Sequence, residues 1–171
     1  MIRDFQNIED DIIRRKRIIK RILYEDPDII SLLNNPELDP ESPDEYIGVN
    51  IHSAIHLPES QDSVKNFICF DIDDLRGTKT NKAFKDQVCT FRVFCHEDDL
   101  YTPYGAERHD LIGYCIRDLF NWSNILGLQL RLDYDVSGIT DVHYVSRTLK
   151  FLMTTPNDLY QARMANRHYE T

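Results

Sequence analysis

The chain has 171 residues, a formal net charge of −9, 42 % hydrophobic and 29 % charged residues. That length holds one ordinary core rather than two, and the apolar share excludes disorder along the whole chain. The acidic balance repels nucleic acid unless basic groups are segregated, which disfavours a sequence-reading DNA binder and leaves open a surface that faces DNA without gripping it.

The opening residues Met1-Ile2-Arg3-Asp4 lack the apolar stretch of a signal peptide, and no run of about 18 apolar residues follows anywhere. A cytosolic, soluble protein with no membrane contact is expected. From Asp4 to Tyr24 the residues Phe5, Ile8, Ile12, Ile19, Ile22 and Leu23 recur at helical spacing. Glu9, Asp10 and Asp11 precede Arg14, Arg15, Lys16, Arg17, Lys20 and Arg21, an order that suits the helix dipole. This basic run is either a solvated helix face or a contact with an acidic neighbouring subunit or DNA phosphates. Asp26-Pro27 then pairs an N-cap with a first-turn proline, opening a short helix through Leu33.

Residues 34–45 carry Pro36, Pro40 and Pro43 among acids and form a loop that no helix can cross. The body beyond it opens with an expected strand from Tyr46 to Leu57, bent near Ser53-Ala54. Asn66 to Ile72 and Val88 to Cys95 are two strong strands, with Ile68, Phe70 and Ile72 on one face of the first and Cys89, Phe91, Val93 and Cys95 on one face of the second. They predict a hairpin with a long projecting loop, Asp73 to Gln87, carrying Arg76, Lys79, Lys82 and Lys85; a loop of this length binds something or is mobile.

Ala106 to Phe120 has the broad apolar side of a helix laid on a sheet. Leu128, Leu130 and Leu132 alternate with polar residues as a half-buried strand, a turn is expected at Ser137-Gly138, and the last strand is Tyr144 to Thr154. Arg147 falls on the apolar face of that strand, where it must snorkel or find a partner. The tail beyond Pro156, with Arg163 and Arg167, has few large aliphatic residues and either lies disordered or docks on another chain.

The expected fold is therefore α+β: a mostly antiparallel sheet of four to five strands, a long N-terminal helix, a central helix on the sheet, and polar arms. The single domain, 1–171, divides into a helical region (1–33), the acidic loop (34–45), the sheet-and-helix body (46–155) and the tail (156–171).

Chemical motifs are sparse. Cys69, Cys89, Cys95 and Cys115 form no C-x-x-C pair and fall in apolar runs, so buried thiols are expected. Asp71, Asp73 and Asp74 gather at a strand end, as carboxylates holding a divalent metal do. Asp71 and Asp73 with His96 and Asp98 form the candidate set for a small metal-dependent phosphodiesterase or nuclease, although no Glu-x-Lys accompanies them. His52 and His56 have a metal-pair spacing but lie in a strand-like segment, and His109-Asp110 lacks the further histidines that a phosphohydrolase needs. No nucleophile elbow or phosphate-binding glycine loop occurs. No catalytic residue, metal or cofactor is assigned, and a regulatory or inhibitor domain acting through an acidic surface is a further reading.

The order of elements resembles the tail-terminator, or tail-completion, proteins of long-tailed bacteriophages: a leading helix (Asp4 to Tyr24), a hairpin with a long loop (Asn66 to Cys95), a helix across the sheet (Ala106 to Phe120) and a closing strand pair (Leu128 to Thr154). The phrases Lys65-Asn-Phe-Ile-Cys-Phe-Asp-Ile-Asp73, Arg108-His-Asp-Leu-Ile-Gly113 and Phe120-Asn-Trp-Ser123 are similar to phage proteins of gut-type Gram-positive hosts. The resemblance implies a non-enzymatic virion protein of the neck or tail, forming a hexameric ring that caps the tail tube and joins it to the head connector while DNA passes through. A head-closure or adaptor neck protein is the nearest alternative. Arg14, Arg15, Arg17, Arg76, Lys79, Lys82, Lys85, Arg163 and Arg167 are the expected contacts to neighbouring subunits, tube protein or connector.

Overall fold

The computed structural model describes residues 10–55, 66–75, 83–141 and 143–156. It is an α+β arrangement of one five-stranded sheet and three α-helices.

Helix α1 (Asp11–Glu25) begins where Asp10 accepts a hydrogen bond from Ile13 N at 3.0 Å, satisfying one of the free amides of the first turn. The chain breaks at Asp26 in an extended conformation, and the Asp26 carboxylate caps α2 (Pro27–Leu33) by accepting from Ile29 N at 2.9 Å. Asn34 closes α2 in the left-handed region, φ 46° and ψ 50°, where asparagine is tolerated better than most residues. Positions 4–9 of the expected first helix lie outside the described residues.

The expected strand from Tyr46 is largely absent. A 3-10 turn at Pro43–Tyr46 and a tight turn at Gly48 (φ 81°) use up the backbone, with Gly48 N donating to Ile51 O. Only β1 (Ile51–His52) remains, parallel to the next strand. Buried Asn50 forces this outcome: its amide donates to Asn66 O at 2.8 Å and its side-chain oxygen accepts from Asn35 at 2.9 Å, so the chain turns to bring it inside.

Strands β2 (Asn66–Asp74) and β3 (Phe84–His96) form the antiparallel hairpin. Both run farther than expected, and Asp74 pairs in register with Gln87. Polar side chains on the exposed positions of a ribbon look like loop in a sequence, so the hairpin loop is shorter than 73–87. Helix α3 (Arg108–Phe120) starts two residues later than predicted, because Glu107 is held in an isolated bridge with Tyr101.

The closing pair also shifts. Strand β4 (Arg131–Asp141) includes Ser137 and Gly138, which pair with Arg147 and Ser146 of β5 (Tyr144–Pro156) instead of turning. Irregularities at Leu132/Tyr134 and Ile139/Asp141 break the period of two, which hid the strand. Leu126 and Leu130 are buried ahead of it as core plugs, with Trp122 N bonded to Leu130 O.

The strand order is β1-β2-β3-β5-β4, so β3 and β5 are central and β4 is an open edge. Helices cover one face, burying Ile68, Phe70, Ile72, Cys89, Phe91, Val93, Leu149, Phe151 and Met153 against Ile19, Leu23, Ile112, Ile116 and Phe120. Phe91 is the hub: its ring stands 4.8 Å from Phe120 and 5.7 Å, edge-on, from Phe151, geometries that add to simple burial. On the opposite face Phe67, Cys69, Phe94 and Tyr144 make a smaller cluster. No described helix is long and apolar enough to cross a membrane.

Candidate functional site

Two polar junctions tie the helices to the sheet. At the first, Asp99 collects the side chains that end α2 and begin β2 and α3. Its carboxylate accepts from Arg108 (2.8 Å), from Asn66 (2.6 Å) and from Asn34 through both oxygens (2.9 and 3.1 Å). Arg108 and Asn66 also donate to Leu32 O and Leu33 O, satisfying carbonyls that the end of α2 leaves unpaired. This junction is architectural, and nothing in the sequence marked Asp99 as its centre.

At the second, Arg147 passes over α3 at Gly113 and donates to Asp110 (2.6 Å) and to both oxygens of Asp135 (2.7 and 2.9 Å). Hydrogen bonding to Asp135, ahead of opposing burial, raises the guanidinium pKa above its ordinary value. The arginine placed on an apolar face by the strand pattern thus has its partners. Beside it the imidazole of buried His109 has Nδ1 3.6 Å from Glu107 and Nε2 3.5 Å from Asp110. Glu107, His109 and Asp110 bring ligand-type atoms within 4.8 Å of one another. Asp110 is already committed to Arg147, so a cation there would have to displace a guanidinium.

The carboxylate set weighed for metal chemistry does not assemble. Asp73 pairs with Val88 at one end of the hairpin, whereas His96 stands at the other end. At about 3.3 Å per residue the eight intervening steps of β3 separate them by roughly 26 Å. Asp71 is instead paired with Lys16 at 2.5 Å, and Asp74 with Lys85 at 2.7 Å and Gln87 at 2.5 Å. Burial alone would raise the Asp74 carboxyl, but the bonds from Lys85 and Gln87 and the charges of Lys85 and Arg15 hold it below its usual range.

The candidate contact residues divide sharply. Arg15 is buried and donates to Gln87, so it fastens α1 to β3, and Lys85 is occupied with Asp74 on the hairpin. Arg14 and Arg17 are exposed, as is Arg21 one turn on. Arg76, Lys79, Lys82, Arg163 and Arg167 lie outside the described residues, as does His56. Cys69, Cys89 and Cys95 are buried and Cys115 is half-buried, and no disulfide joins them. Desolvation, then the carboxylates of Asp26, Asp28 and Asp118, push the Cys115 thiol up to about 11, which suits packing rather than nucleophilic attack.

Two further surfaces are open. Strand β4 presents Tyr134, Val136 and Ile139, the last 83 % exposed, on an edge with no partner strand among the described residues. Trp122 is 61 % exposed and held at φ 60°, a costly backbone conformation for a bulky residue.

These features define a small α+β protein whose open surfaces suit contacts and whose buried charges are structural. The YomW family model matches residues 26–153, and the chain belongs to the YomW family. That family derives from the SPbeta phage region of Bacillus, which makes this a phage-associated protein. No curated protein matches the chain.

Proposed function

We propose that the chain is a structural virion protein of the head-to-tail junction, a tail terminator that assembles as a ring, caps the tail tube and joins it to the connector while DNA passes through. It acts by contact rather than by catalysis. The observation that carries this reading is the edge of β4. Charge and register irregularities blunt the ends of β4, at Arg131, Asp133 and Asp141, yet among the described residues its outer edge has no partner strand and its middle exposes Tyr134, Val136 and Ile139. A neighbour in an assembly covers such an edge. The phage-derived family and the resemblance in element order point the same way, and a net charge of −9 suits a passage along which DNA slides without sticking.

The test is deletion of the gene in a phage that carries it, followed by electron microscopy of lysates. Loss of a terminator is expected to give filled heads beside unattached tails of irregular length. Empty heads that have leaked DNA would assign the chain to head closure instead, and normal virions would remove it from the junction.

A further inference from the structure

The exposed face of α1 carries Arg14, Arg17 and Arg21. Spacings of three and four place them in one stripe, about 10 Å long at 1.5 Å rise per residue. Arg14 touches only Asp11 on its own helix, Arg21 is 3.9 Å from Glu25, and Arg17 has no ion pair among the described residues. On a chain of net charge −9 this is a local island of positive charge.

The matching surface is in the same chain. Glu37, Asp39, Glu41, Asp44 and Glu45 are all exposed, and none of them forms an ion pair among the described residues. They sit on a stiff segment. Pro36, Pro40 and Pro43 restrict it, Asn35 and Asp39 side chains accept from Glu37 N and Glu41 N at 3.0 Å each, and buried Tyr46 and the Asn35–Asn50 bond pin its ends. A ridge already fixed loses little conformational freedom on docking.

We infer that copies of this chain dock head to tail, with the arginine stripe of α1 on one copy seated against the acidic ridge 37–45 of the next. The inference rests on the self-assembly proposed above and names the surfaces that make it. A stripe seated on the next copy's ridge, without the reciprocal pair between the same two copies, is a heterologous contact, the type that closes into rings when the rotation allows. Opposite potentials set partner choice and orientation. Duplex DNA is the weaker fit to the stripe: three arginines neutralise few phosphates, and the acidic remainder of the chain repels the rest.

The experiment is a charge swap in the full-length protein. One variant carries Arg14→Glu, Arg17→Glu and Arg21→Glu; the other carries Glu37→Lys, Glu41→Lys and Glu45→Lys. All six positions are exposed, so both variants should stay folded with a cooperative melt, the stripe variant a few degrees lower because Arg14→Glu and Arg21→Glu face Asp11 and Glu25, which circular dichroism checks. Light scattering after size exclusion at low salt is expected to show wild-type oligomers, and each variant alone should associate at least about tenfold more weakly. An equimolar mixture should reassemble, because each variant then offers the complement of the other, and about 0.5 M salt should weaken every such assembly.

Variants that assemble alone as the wild type does would overturn this docking and leave the ring reading standing. A folded mixture that stays monomeric while the wild type assembles would overturn it as well. A wild type monomeric at every concentration would overturn both readings. Loss of duplex DNA binding by the stripe variant, with its assembly intact, would reassign the stripe to DNA.

Discussion

Gly113 and Arg147 occupy one shared volume. A Cβ added at position 113 would stand 2.6 Å from Arg147 Cδ and 2.8 Å from its Nε, so the absence of a side chain on α3 is what lets the guanidinium reach Asp110 and Asp135.

Gly113→Ala is therefore expected to destabilise the fold by about 1–3 kcal/mol, even though alanine is a better helix former by about 1 kcal/mol. In an Arg147→Ala background the obstruction is gone, and the same change should stabilise by up to about 1 kcal/mol. Urea denaturation of the four proteins of this cycle measures both effects. The same sign in both backgrounds would refute the coupling.

Asp99→Ala should cost roughly 3–5 kcal/mol, because it leaves the Arg108 guanidinium buried beside Leu32 O without its carboxylate. Arg108→Met removes the charge and keeps the apolar stem, so its cost should be smaller. Chemical denaturation that ranks the two in the opposite order would show that the carboxylate is not the centre of the junction.

At Trp122 the backbone, rather than the ring, is the point of strain. Trp122→Gly should be more stable than Trp122→Ala by about 1 kcal/mol, since both delete the indole and only glycine is at ease at φ 60°. Equal thermal midpoints for the two variants would show that the turn relaxes freely.

Asp74 gives a pH dependence of known sign. Its folded pKa lies below the ordinary 3.8, so its contribution is whole well above that value and is lost as the pH falls through the folded pKa. Asp74→Asn should be less stable than wild type at neutral pH and should converge with it in acid. Parallel stability curves down the acid limb would contradict the Lys85 and Gln87 pairing as its source.

The sequence-based reading succeeded where local chemistry repeats a simple rule. Asp26-Pro27 announced a new helix, the alternation through Phe70 and Phe91 announced the hairpin, and Arg147 on an apolar face announced a side chain that must snorkel or find a partner. It failed where one residue overrode a pattern. Buried Asn50 turned the β-branched run after Tyr46 into a 3-10 turn and a two-residue strand. The irregular registers of β4 concealed a strand running through Ser137-Gly138, a dipeptide that reads as a turn. The Asp99 junction was invisible for another reason: Asp99, Asn34 and Asn66 are far apart in sequence, and only the fold makes them neighbours. Of the candidate contacts, exposure rather than charge separates Arg14 and Arg17 from Arg15, and exposure depends on which turn of α1 meets Gln87.

The thirteen-residue pairing of β3 with β5 has a consequence for synthesis. The centre of the sheet is completed by its last strand, so a growing chain that has not yet reached Tyr144 has β3 exposed along one whole side and β4 with nothing to pair with. Such contacts between distant segments form late and slow folding. An unfinished chain on the ribosome consequently cannot close the centre of the sheet, and the unpaired side of β3 stays exposed until β5 has emerged.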